Sequence, residues 1–153
     1  MNHEELEQIY KNAVEDPTLL STINIDALLD KIGENHYLEG KTVADVSKEI
    51  FEAIQSLDIT EKEAKDFCLR LSGHRLVDRI CDLRNGILLR WVKKGTSYLT
   101  NGGLLMNVKI EKTGVQLLCK NNAHRFFNVK FDDCIIFQKM TMEEQLVLMA
   151  NGL

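Results

Sequence analysis

Four cysteines (Cys68, Cys81, Cys119, Cys134) and four histidines (His3, His36, His74, His124) are the residues of this 153-residue chain best equipped for metal or nucleophilic chemistry. Their spacing favours neither. No CxxC or other zinc spacing occurs, and each cysteine stands where an apolar residue is expected. Cys68 and Cys81 fall in helical patterns and Cys119 and Cys134 in strand patterns, so buried free thiols are the expectation. The histidines have no evident acidic or thiol partner. His74, near Cys68 and Asp78, reads as a surface or partly buried side chain rather than a catalytic one. Asn101-Gly102-Gly103 lacks the spacing and following helix of a phosphate-binding loop, and no GxSxG, HExxH or EF-hand loop is present. These residues predict a non-enzyme with no metal and no cofactor.

Charge carries more information. Residues 1–83 hold nine Lys/Arg against 18 Asp/Glu, whereas residues 84–140 hold ten Lys/Arg against three Asp/Glu. Arg84, Arg90, Lys93 and Lys94 surround Trp91, and Lys109, Lys112, Lys120, Arg125 and Lys130 continue the positive charge. Such a surface suits a phosphate backbone, and Trp91, Phe126 and Phe127 offer rings for stacking. A competing reading is that Trp91 shares a face with Ile87 and Leu89 and is core, as are Phe127, Val129 and Phe131. The basic side chains would then serve solubility, protect strand edges, or answer the acidic half. A net charge of −4 disfavours strong non-specific nucleic-acid binding. The apolar C-terminal run offers Leu146, Met149 and Leu153 as a second candidate contact.

The elements that must position these groups follow from periodicity. In the first half, Asn2 with Glu5, Asn24, Thr42 with Asp45, and Thr60 with Glu63 open four helices with apolar residues at helical spacing. Asp16-Pro17 and Gly33 end the first two. The last is predicted to bend at Gly73 and resume through Leu76, Val77, Ile80 and Cys81 before Asn85-Gly86 stops it. From Ile87 the period falls to two, giving five strands at 87–93, 104–112, 115–120, 126–131 and 134–139. Strict alternation would set Leu104, Met106, Val108 and Ile110 against Leu105, Asn107, Lys109 and Glu111. Thr141 with Glu144 caps a short closing helix. Five short strands are expected to curl into a barrel that removes exposed edges.

The segments Arg90-Trp91-Val92, Leu99-Thr100-Asn101-Gly102-Gly103, Cys119-Lys120-Asn121-Asn122 and 125–139 resemble the C-terminal part of small uncharacterised proteins of giant nucleocytoplasmic DNA viruses. The likeness covers about the last 65 residues and implies a virion component or an infection-stage factor. The strand arrangement also resembles an SH3-like or Tudor-like barrel, although the aromatics fall on faces that a barrel buries and form no evident Tudor cage. Neither likeness supplies a catalytic residue.

The expected fold is therefore α+β: an N-terminal acidic helical module (1–83), then a basic five-stranded antiparallel SH3-like β-barrel with a short C-terminal helix (84–153). The expected function is that of a non-enzymatic adaptor that contacts another protein or an assembly. Nucleic-acid binding through the basic wall is the alternative. No run of about 20 apolar residues is present to span a bilayer, and the polar, acidic N-terminus is unlike a secretory signal. An intracellular site, in cytoplasm, nucleus or virion, is expected.

Overall fold

The computed structural model describes residues 36–153, so the helices expected near 6–14 and 25–32 lie outside the described residues. Helix α1 (Val43–Gln55) starts where its capping pair predicts. The Asp45 carboxylate accepts from the Thr42 N–H at 2.9 Å, and Thr42 Oγ1 accepts from the Asp45 N–H at 3.3 Å. Each bond satisfies a backbone donor that has no partner within the helix. Val46, Ile50 and Ile54, one helical turn apart, are buried. Helix α2 (Glu61–Arg70) is capped by Thr60, whose Oγ1 accepts from the Glu63 N–H at 3.2 Å and donates to Glu63 Oε1 at 3.1 Å, and it buries Phe67.

Beyond α2 the sequence expectation fails. Gly73 adopts a left-handed φ of +76°, and the chain leaves as strand β1 (His74–Val77), with a 3-10 turn at Ile80–Asp82. Its apolar residues are too few to separate helix from strand by period, and pairing with a distant strand decides the matter. The remaining strands are β2 (Leu88–Lys93), β3 (Gly103–Glu111), β4 (Gly114–Lys120), β5 (Phe126–Lys130) and β6 (Cys134–Lys139). All neighbours are antiparallel, in the order β1-β6-β2-β3-β4-β5.

This corrects the five-stranded closed barrel. His74–Val77 supplies a sixth strand that pairs with β6, while among the described residues β5 pairs only with β4, so the described sheet is open with two edges. The alternation expected for β3 is also corrected. The register jumps from Leu105↔Cys119 to Asn107↔Leu118, leaving Met106 as the extra residue of a bulge. Leu105 and Val108 consequently both face the core. That core joins Val77, Leu89, Leu105, Leu117, Cys119, Val129 and Ile136, with Trp91 and Phe127 packed against it at 5.6 Å between ring centroids.

Residues Ser47–Lys139 form one compact unit and contain the sheet; of the other described residues, 36–46 with Met140–Leu153 belong to a second unit. Within the second, helix α3 (Met142–Asn151) carries the full capping box of Thr141 and Glu144. Tyr37 Oη donates to Glu144 Oε2 at 2.7 Å, and Asn151 Nδ2 donates to the carbonyls of Leu38 (3.0 Å) and Lys41 (2.9 Å).

Candidate recognition face

The nine basic positions singled out from sequence do not form one wall. Arg90 is committed internally. Its Nε donates to the Thr100 carbonyl at 2.9 Å, and its Nη1 donates to the carbonyl of Arg70, the last residue of α2, at 3.0 Å. A cation is well placed there, against the negative end of a helix. Burial and then the adjacent Arg70 lower the Arg90 pKa from its ordinary value. Arg84 is half-buried, and its backbone is held by Gln138. Lys93 and Lys94 are exposed at the end of β2, where Lys94 Nζ donates to the Asp132 carbonyl at 2.9 Å. Lys112 and Arg125 are exposed in the β3–β4 and β4–β5 turns.

The other three come together. Cross-strand pairing sets Lys109, Gln116 and Lys130 in one row across β3, β4 and β5. The next row is Asn107, Leu118 and Asn128, and the third is Leu104, Lys120 and Phe126. Side chains two residues apart along a strand share a face, so all three rows lie on the side opposite Leu117, Cys119 and Val129. At about 3.3 Å per residue, the first and third rows are about 13 Å apart. Phe126 is 59 % exposed, and Lys120 Nζ lies 5.9 Å from its ring centroid, at the outer limit of a cation–π contact. Leu104 is 41 % exposed in the same row. Glu111 is the only carboxylate among the described residues of these three strands.

Strict alternation suffices to place Lys109 and Lys120 opposite the core. It also places Asn107 beside Lys109, and Phe126 and Asn128 opposite Phe127 and Val129. It does not reveal that Leu104 joins them, because the Met106 bulge sets its face.

The titratable groups elsewhere are structural in setting. All four cysteines are free, and burial raises the Cys119 thiol to about 11. Among the described residues, no three His, Cys, Asp or Glu side chains gather into a group that would hold a metal ion. Nor is any described helix long and apolar enough to cross a membrane. Of the apolar contacts expected in the C-terminal run, Leu146 is fully buried, Met149 half-buried and Leu153 exposed. Comparison with models of known families, with curated proteins and with solved structures found no match to this chain.

Proposed function

We propose that this chain is a non-enzymatic interaction protein that recognises its partner with the outer face of β3, β4 and β5. The observation that carries this reading is the exposed Phe126 ring beside Lys120. A large aromatic left on a regular sheet face, framed by cations and amides, is the composition of a contact surface. The meander β2-β3-β4-β5, with β6 returning to β2, supports an SH3-like arrangement that is open rather than closed. Helices α1 and α2 carry six carboxylates against the four cations Lys48, Lys62, Lys65 and Arg70, a weakly acidic mixture that differs from the lysine-bearing face of the sheet. The likeness to small viral proteins is compatible with such an assembly.

The test is affinity capture from a cell extract by the immobilised full chain. A face variant (Lys120→Ala, Phe126→Ala, Lys130→Ala) is compared with a helix variant (Lys62→Ala, Lys65→Ala), both checked for native urea midpoints. The captured material should persist with the helix variant and disappear with the face variant. An unchanged set with the face variant overturns the reading.

A further inference from the structure

We infer that the occupant of this face is a single-stranded nucleic acid, an inference that rests on the outer face being the recognition surface. The charge on the face is the complement of a phosphate chain: Lys109, Lys120 and Lys130 project from three adjacent strands. An acidic peptide would satisfy those lysines equally well. What separates the two partners is the row that ends in Phe126. Its exposed ring offers a π-face beside a cation, which an unpaired base uses by stacking and which a carboxylate does not use. Duplex DNA presents phosphates but keeps its base faces stacked internally, so it would use the lysines alone. Asn107 and Asn128 are exposed in the middle row; the Asn107 Oδ1 accepts from the Val108 N–H at 2.9 Å, which leaves its amide hydrogens, with the Asn128 amide, to hydrogen-bond between the lysine rows.

The lysine arrangement also fixes a salt response. Neutralising three phosphates on a single strand gives a slope of log Kobs against log salt of about −2. Losing one lysine should reduce the steepness by about 0.7. Losing Phe126 should weaken binding about tenfold or more while leaving the slope unchanged, because stacking releases no counterions.

The experiment is fluorescence anisotropy of the full chain with a fluorescent oligo-dT of about ten nucleotides. It is repeated with an abasic strand of equal length, a duplex and poly-glutamate at several salt concentrations. Expected are preference for oligo-dT over all three competitors, loss of affinity without loss of slope in Phe126→Ala, and a shallower slope in Lys109→Ala and Lys130→Ala. The Lys62→Ala, Lys65→Ala variant should bind as the unaltered chain does. Absence of oligo-dT binding, equal binding of the abasic strand, or tighter binding of duplex or poly-glutamate overturns the inference. If the face variant still loses its captured material from extract, recognition by this face stands without nucleic acid; if that dependence is also absent, both fall.

Discussion

Gln138 and Arg84 are joined by a reciprocal pair of hydrogen bonds. The Arg84 N–H donates to Gln138 Oε1 at 2.9 Å, and Gln138 Nε2 donates to the Arg84 carbonyl at 2.7 Å. The fully buried amide thus treats the chain between Ile80–Asp82 and β2 as a neighbouring strand would. Buried Arg75 donates to the same Oε1 at 3.1 Å and to the Asp82 carbonyl. Gln138→Leu keeps the volume but takes one partner from buried Arg75, from the Arg84 N–H and from the Arg84 and Ile87 carbonyls. A buried polar group deprived of its partner costs about 1–3 kcal/mol, so the variant should lose at least about 1 kcal/mol in urea unfolding. A change under about 0.5 kcal/mol would mean that the clamp has no energetic role.

Gly102 occupies another contact that tolerates no side chain. Its φ is +83°, and an added Cβ would run into the Leu89 carbonyl and crowd the Arg90 side chain. The close approach lies beside the short β2–β3 pairing of Leu88↔Leu104 and Leu89↔Gly103. Gly95 shares the conformation, at +84°, but a Cβ added there would meet nothing within 4 Å among the described residues. Gly95→Ala should therefore cost only the left-handed penalty of about 1–2 kcal/mol. Gly102→Ala should cost more than that, with a correspondingly lower melting temperature.

The parts of this fold that are legible in sequence are those that local bonds decide. The pairs Thr42/Asp45, Thr60/Glu63 and Thr141/Glu144 cap helices in the structure because donor and acceptor lie three residues apart. Strand β1 is not legible, since its state depends on pairing with β6, more than fifty residues later in sequence. The phase of β3 is lost at Met106 for a similar reason: a bulge leaves no mark in alternation. Alternation nonetheless puts Lys109 and Lys120 on the side opposite the core. It puts Arg90 there too, but the α2 C-terminus occupies that side, and a charge pattern alone cannot register a covering helix.

The same distinction governs the C-terminal run. Leu146 is 0 % exposed and Leu153 65 % exposed, although both look equally available in sequence. Leu146→Asp places an unpaired carboxylate in the core and should cost at least about 3 kcal/mol or prevent folding. Leu153→Asp should change stability by less than about 0.5 kcal/mol. Equal urea midpoints for the two variants would contradict the burial of Leu146.

Thiol reactivity should divide the cysteines by environment. Cys81 is exposed, whereas Cys119 is fully buried and its thiol is pushed up to about 11. At neutral pH a buried thiol of that acidity offers almost no thiolate to an electrophile. Iodoacetamide followed by peptide mass spectrometry should label Cys81 first. Cys119 should be labelled only at the rate of opening, and accelerate in urea. Prompt labelling of Cys119 in the native protein would contradict its position between Leu105 and Phe127 in the pairing of β3, β4 and β5.

His74 gives the fold a defined response to acid. Its Nδ1 meets the Ser72 carbonyl at 3.2 Å, while buried Nε2 has no hydrogen-bond partner among the described residues. Burial holds the imidazole pKa below its ordinary value; Arg90 and Lys139 act in the same direction, and the Ser72 contact opposes them. The unfolded chain, titrating near 6.5, therefore binds the proton first. Stability contributed by the neutral ring is complete above that pH and is lost as pH falls from the unfolded value through the lower folded one. His74→Leu removes the titration and leaves Ser72, which is exposed, to water. Urea midpoints should fall between about pH 7.5 and about pH 5 in the unaltered chain, and fall less in His74→Leu. Parallel declines in the two proteins would assign the acid response to other groups.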